Sequence, residues 1–297
     1  MRARAVRTGA FVKQSAVGES VELVPRATPI VKWAGGKGRL LAQLVPLLPP
    51  ALEMRRHVEP FFGGGALFFA LGPERALLSD VNPELVNLYV QVRDRLEALL
   101  EALRRLARDH DATAFYRVRE RYNRRRGSLS DLERAAAFLY LNRTCFNGLH
   151  RVNRRGEFNV PVGRYERPRI VDEPALRAAS TWLQHAELRV ASFEHLLDSA
   201  RPGDFVYLDP PYEPTSPTAR FTSYCADGFD RDAQRRLRDV FGALDRRGCA
   251  LMLSNSDVLF IRELYAGYRI DRVAAPRPIN ADGRGRGLVS ELVIRNY

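Results

Sequence analysis

Asp209, Pro210, Pro211 and Tyr212 are the stretch of this chain best equipped for chemistry. An acid that can accept hydrogens, a carbonyl held by proline and an aromatic ring for stacking follow one another. Two acceptors side by side suit a planar amine, whose hydrogens they can draw out of plane. The preceding Phe205, Val206, Tyr207 and Leu208 are apolar, aromatic or β-branched, and read as a buried strand. The prolines end that strand, because neither donates to a ladder and each fixes its own φ. The acid and the ring therefore stand at the carboxyl end of a strand, where open α/β sheets bind ligands. Taken alone, the four residues serve equally well as a rigid turn.

Two stretches upstream belong to the same end of such a sheet. His57-Val58-Glu59-Pro60-Phe61-Phe62-Gly63-Gly64-Gly65 reads as strand then glycine turn, followed by an apolar helix through Leu71. Consecutive glycines let the backbone turn tightly and come close to a ligand. Ala76 to Asp80 reads as the next strand, with Asp80 at its end, where an acid binds ribose hydroxyls. Asp80 could also cap the helix that opens at Asn82-Pro83. The spacing differs from G-x-G-x-x-G, which favours a nucleoside without a pyrophosphate over a dinucleotide. Lys32-Trp33-Ala34-Gly35-Gly36-Lys37 is a glycine loop entering a helix, with amides and Lys37 available to an anion. It lacks the spacing of a phosphate-binding Walker loop.

The elements that must position these residues follow from periodicity. Leu85, Tyr89, Val92, Leu96, Leu99, Leu103 and Leu106 form one apolar stripe, predicting a helix from Pro83 onward. Ser130 and Glu133 have capping-box spacing and open a second helix through Leu141. Arg117 to Arg126 between them is a basic stretch. Further helices are expected at 173–184, 230–244 and 260–266, with strands at 187–191, 249–253 and 288–297. Thr215 to Gly228 reads as a polar lid or substrate loop carrying Phe221 and Tyr224.

The chain has 297 residues, and 45% of them are hydrophobic and 28% charged, as in a soluble globular protein. No apolar run is long enough to span a membrane. Met1 to Arg26 lacks the apolar core of a secretory signal and reads as a poorly ordered extension. Cys145, Cys225 and Cys249 are too scattered for a disulfide framework or a metal site, which fits a reduced, cytosolic setting. The formal net charge is +12, pointing to a polyanion, most simply nucleic acid. Residues 93–169 hold 19 arginines against 10 acids, which is most of that excess. Within them, Asn142 to Tyr165 interleaves arginines with Phe146, Leu149 and Tyr165, and a hairpin is expected around Arg154-Arg155-Gly156. That pattern pairs phosphate contacts with base-edge contacts and inserted apolar wedges.

With K-W-A-G-G-K, V-E-P-F-F-G-G-G and D-P-P-Y in this order, and F-N-G-L-H-R-V-N-R-R-G-E-F-N-V-P-V-G-R-Y between the second and third, the chain resembles the Dam-type DNA adenine-N6 methyltransferases, the alpha group of the D12 class. The resemblance runs from Pro29 to Tyr297. It implies an α/β fold, a Rossmann-like S-adenosylmethionine-dependent methyltransferase sheet with an inserted, mainly helical DNA-recognition domain. The implied division is an N-terminal extension over 1–27, a catalytic domain from 28–87 and 169–297, and the inserted domain over 88–168. Trp33, Lys37, Glu59, Phe61, Gly63, Gly65, Asp80 and Asp209 would hold S-adenosyl-L-methionine, with Asp209, Pro210 and Tyr212 catalytic and no metal. Arg143, Phe146, Asn147, Leu149, Arg151, Arg164 and Tyr165 would contact double-stranded DNA. Phe146 and Asn147 would insert beside a flipped adenine in GATC or a related site. The expected setting is cytoplasmic and nucleoid-associated, as a monomer, with an independently acting restriction endonuclease as the possible partner. An N4-cytosine or RNA amino-methyltransferase, or a non-catalytic DNA-binding protein on this fold, are the alternatives.

Overall fold

The computed structural model describes residues 27–124, 126–215, 229–276 and 288–297. In chain order the elements are α1 (Leu41–Leu44), β1 (His57–Glu59), α2 (Ala66–Leu71), β2 (Ala76–Asp80), α3 (Pro83–Asp94), α4 (Leu96–Arg108), α5 (Ala112–Arg124), α6 (Asp131–Thr144), α7 (Glu173–Leu183), β3 (Ala186–Val190), α8 (Leu196–Ser199), β4 (Phe205–Leu208), α9 (Arg231–Arg246), β5 (Ala250–Ser256), α10 (Leu259–Leu264), β6 (Arg269–Pro276) and β7 (Leu288–Arg295). The strands form one seven-stranded sheet in the order β3-β2-β1-β4-β5-β7-β6. β1 to β5 are parallel, and β7 runs antiparallel between β5 and β6. This is the Rossmann-like α/β class expected from the sequence.

The strand order reverses between β1 and β4, the switch point at which such sheets open a crevice beyond their carboxyl ends. Glu59 ends β1, Asp80 ends β2 and Asp209 follows β4, so three acids meet that crevice. β4 is apolar or aromatic on both faces, as a parallel strand covered by helices is expected to be, whereas β1 carries the buried His57–Glu59 pair on one face. Phe205 and Tyr207 of β4 pack with Leu44, Leu67 and Met252 on one face, while Val206 and Leu208 pack with Leu237, Phe241 and Ile261 on the other.

The helices of 83–183 are joined to the sheet by a shared core. Phe62, Phe68, Phe69 and Leu78 meet Tyr89 of α3, Leu103 of α4, Phe115 of α5, Phe138 of α6 and Leu176 of α7. α6 is buried over most of its circumference, and its N-terminus is closed by the expected capping box of Ser130 and Glu133, worth about 1 kcal/mol. Tyr89 is fully buried, and its hydroxyl donates to the Gly63 carbonyl at 2.9 Å, which ties α3 to the glycine turn.

Several expectations change. The stripe from Leu85 to Leu106 is carried by two helices, because Arg95 (φ −138°, ψ 38°) breaks the run. The basic stretch at 117–126 falls largely on α5, whose Phe115 and Tyr122 are buried. Asn82, not Asp80, caps α3, accepting from the amides of Glu84 and Leu85. β6 was not expected; it is an edge strand whose Arg269, Asp271 and Arg272 hide its period. Ala27, counted with the extension, is buried and donates to the Phe69 carbonyl at 2.9 Å.

Candidate active site

The turn after β4 is closed around its acid. Lys37, only 6% exposed, places Nζ 2.7 Å from Asp209 Oδ1 and donates to the Gly35 carbonyl at 2.6 Å. The same ammonium lies 4.7 Å from the centre of the Tyr212 ring, a cation–π contact. Tyr212 Oη donates to Glu291 Oε2 of β7 at 2.8 Å. Burial lifts the Asp209 carboxyl to about 6; Lys37 opposes this, while Glu291 and Glu59 add to it. At neutral pH Asp209 is thus an ionised acceptor in a site that disfavours charge, which makes it avid for hydrogen-bond donors. No described residue donates to Asp209 Oδ2 or to the Pro210 carbonyl. Burial also pushes the Tyr212 hydroxyl well above its usual range, so it stays a donor to Glu291.

The glycine turn lies beside this acid. Gly63 (φ 49°) and Gly65 (φ 66°) hold left-handed backbone that other residues rarely adopt. A Cβ at Gly63 would sit 2.8 Å from Trp33 Cδ1, and one at Gly65 would sit 2.5 Å from the Phe62 ring. The glycines therefore admit the protein's own aromatic rings. Asp80 Oδ2 accepts from the Gly63 amide at 3.0 Å and Oδ1 from the Asn82 amide at 2.9 Å. Burial raises the Asp80 carboxyl, and these amides partly offset it. Glu59 is buried with Oε1 2.7 Å from His57 Nε2. Phe61 stacks on Phe193 at 5.6 Å and meets Phe229 edge-on at 5.8 Å.

Trp33 connects this edge to the arginine-rich segment. It stacks on His150 at 5.3 Å and 24°, with Phe138 6.3 Å away. Its neighbour Lys32 is gripped at both backbone groups by the buried Asn142, which also donates to the Gly148 carbonyl. Gly148 (φ 66°) is required there, since a Cβ would fall 2.2 Å from the Lys32 side chain. Lys32 Nζ in turn donates to Tyr165 Oη at 3.1 Å. Held by this frame, Phe146 stands 47% exposed on a short turn beside the exposed Asn147 (φ 53°). The expected hairpin is present: Val152 pairs with Phe158, and Gly156 donates to the Asn153 carbonyl.

The arginines divide into two sets. Those on the helices are largely spoken for: Arg104 pairs with Glu173, Arg121 with Glu133, Arg124 with Glu120 and Arg134 with Glu84. Arg151 leans on Asn159, its Nε 2.7 Å from Oδ1. Arg151, Arg154, Arg155 and Arg164 are exposed and enter no ion pair among the described residues. Arg143 belongs with neither: its Nη2 donates to the Ile30 carbonyl and burial lowers its pKa, so it braces the chain behind Lys32 instead of facing solvent as the loop arginines do. Leu149 is half-buried against the helical core, with only part of its side chain accessible.

Lys32, Glu291, Gln234 and Asn255 were not singled out by sequence. Lys32 had one usable signal, being among only three lysines in a chain that otherwise uses arginine. The other three act across 21 to 79 residues of sequence, where spacing carries no information. Phe221 and Tyr224, considered as base-stacking residues, lie outside the described residues.

Comparison with known proteins bears on this arrangement. The family model for D12 class N6 adenine-specific DNA methyltransferases matches residues 33–279. The chain is 42% identical over 272 residues to the Type II methyltransferase M1.LlaDCHI of Lactococcus lactis subsp. cremoris, covering 91% of this chain and 95% of that protein. It is 40% identical over 286 residues to the Type II methyltransferase M.MjaIII of Methanocaldococcus jannaschii, covering 91% and 99%. With the DNA adenine methylase of Escherichia coli it shares 37% identity over 265 residues, covering 89% and 93%.

Proposed function

This chain belongs to the D12 class of N6 adenine-specific DNA methyltransferases, and on that premise we propose that it moves a methyl group from S-adenosyl-L-methionine to the N6 amine of an adenine flipped out of double-stranded DNA, in GATC or a related short site. The observation that carries the reading is Asp209: paired to Lys37 through Oδ1, it leaves Oδ2 and the neighbouring Pro210 carbonyl to accept hydrogens.

The residues fit the cofactor chemically. Carboxylates at the ends of β1 and β2 and just past β4 suit ribose hydroxyls and a positive sulfonium. Asp80 keeps lone pairs for hydroxyls beyond the two amides it accepts. Trp33, Phe61, Gly63, Gly65, Glu59 and Lys37 would complete that pocket. When bound, S-adenosylmethionine supplies an electrophilic methyl group on sulfur.

The protein's task is to make the amine nucleophilic. Its lone pair is delocalised into the adenine ring, so attack requires a pyramidal nitrogen. Asp209 and the Pro210 carbonyl accept its two hydrogens, favouring that geometry and the positive charge that develops. By analogy with oxyanion-hole donors, one such contact is worth ~2.7–4 kcal/mol of barrier. Tyr212 offers its ring to the extruded base, and Phe146 with Asn147 fills the space it leaves, offsetting the few kcal/mol of unstacking. In this reading residues 88–168 are the target-recognition part. Leu149 and Arg151 face base edges, while Arg164 and Tyr165, the latter bonded to Lys32, hold the backbone. The protein would act as a monomer on chromosomal DNA in the cytoplasm, beside an independent restriction endonuclease where one is present.

Methyl-labelled cofactor and duplex DNA test this directly. Nucleoside analysis of the product is expected to place the label in N6-methyladenine within one short sequence. Label in N4-methylcytosine, in RNA only, or nowhere contradicts the reading.

A further inference from the structure

The Asp209–Tyr212 turn cannot hold itself. Pro210 and Pro211 contribute no amide hydrogens, so the usual turn and ladder bonds are unavailable there. Three side chains from α9 and β5 take their place. Gln234 Nε2 donates to the Pro211 carbonyl at 3.0 Å. Asn255 Oδ1 accepts from the Glu213 amide at 3.1 Å, and Asn255 Nδ2 donates to Gln234 Oε1 at 3.1 Å. Ser256 Oγ donates to the Glu213 carbonyl at 2.6 Å. Gln234 and Asn255 are fully buried, and Ser256 nearly so. Four buried polar residues, Glu213 among them, gathered under a two-proline turn are costly unless each bond is made. The bonds go to Pro211 and Glu213 and leave the Pro210 carbonyl without a protein donor among the described residues.

We propose that Gln234 and Asn255 are positioning residues for methyl transfer: by capturing the backbone of Pro211 and Glu213 they aim the Pro210 carbonyl and the Asp209 carboxylate at the target amine. The inference rests on the reading of this turn as the site of transfer. Gln234 is the informative member, since its amide nitrogen reaches the turn and its acceptor keeps Asn255 satisfied. A geometry held this way matters for rate more than for binding, because misplacing a reacting group by about 1 Å can cost about 100-fold.

The test compares Gln234→Glu and Gln234→Leu with the unaltered protein in single-turnover methylation at saturating DNA and cofactor. Thermal melts and titrations of cofactor and DNA accompany each rate. At pH 8 the Gln234→Glu rate should fall about 10- to 100-fold, with both dissociation constants within about threefold. As pH falls toward 6, the introduced carboxyl takes up a proton and regains a donor for the Pro211 carbonyl. The ratio of the Gln234→Glu rate to the unaltered rate should therefore rise, while the Gln234→Leu ratio stays flat. A purely structural role predicts losses of rate and binding in step with the melts and no pH-dependent recovery, and that outcome overturns the proposal. Unchanged rates with adenine still labelled overturn it alone; no adenine label from the unaltered protein overturns the reading beneath it as well.

Discussion

The turn after β4 and the segment from Phe146 to Tyr165 solve opposite problems with similar residues. At the turn, each acid or hydroxyl has a protein partner: Asp209 has Lys37, Tyr212 has Glu291 and Glu213 has Arg231. In the segment, Arg154, Arg155 and Arg164 are exposed and make no ion pair among the described residues, and Phe146 is an exposed ring. Chemistry at an amine needs acceptors fixed in advance in a poorly solvated place, so that nothing reorganises as charge develops. Recognition of a polyanion needs cations whose counterions are still available to be released. The bulk net charge conceals this division. Several arginines of the same basic stretch, Arg104, Arg105, Arg121, Arg124 and Arg134, are consumed in ion pairs on α4 to α6, while those of the loop segment enter none among the described residues.

The comparison can be broken by variants from either side. The largest effect is expected from Asp209→Ala, which should lower the single-turnover rate by about 100- to 1,000-fold with DNA affinity little changed. Parallel loss of binding would show that the turn is part of the reading surface. Phe146→Ala removes the proposed wedge and should cost ~1–3 kcal/mol in forming the extruded complex, seen as weaker binding or slower base opening at intact cofactor affinity. Arg151→Ala should cost ~1–3 kcal/mol at one base position, while Arg164→Ala should weaken all sequences alike and lower the salt slope by about one. A panel of one-base variants on which the two act identically would merge the roles proposed for them.

Lys37→Met sharpens the electrostatic half. Asp209 must be ionised to accept, and its carboxyl stands at about 6, raised by burial and restrained by Lys37. The rate constant kcat/KM should therefore fall as pH drops through about 6. Without the ammonium the carboxyl rises further, so the acid limb should move to higher pH. The loss should be greater at pH 6.5 than at pH 8.5, about tenfold at the lower value. An unmoved limb would mean that Lys37 only packs against Tyr212.

Much of the carboxyl edge of the sheet was legible because it is built from local signals. Phe205 to Leu208, the glycines after Glu59 and Asp80 at a strand end each declare themselves within ten residues, since a strand buried on both faces such as β4 is apolar throughout and left-handed turns favour glycine. What the sequence hid is what holds the edge together. Lys37 read as a cation for a ligand, yet its partner Asp209 lies far along the chain. Asp80 read as an acid for ribose hydroxyls or, alternatively, as a cap; Asn82 takes the capping role, and Asp80 accepts from the glycine turn. β6 was missed because an edge strand needs only one apolar face. α5 was missed because a run of arginines masks the buried Phe115 and Tyr122. Arg143 counts as a basic residue among others until its bond to the Ile30 carbonyl is seen.

The division of labour itself can be put to one measurement: single-turnover methylation of two duplexes, one with the target adenine paired and one with it mispaired. Mispairing lowers the cost of extrusion. The Phe146→Ala protein should therefore recover most of its lost rate on the mispaired duplex, while the Asp209→Ala protein should recover none. Equal recovery by both, or by neither, would contradict the assignment of chemistry to the turn and of base extrusion to the segment.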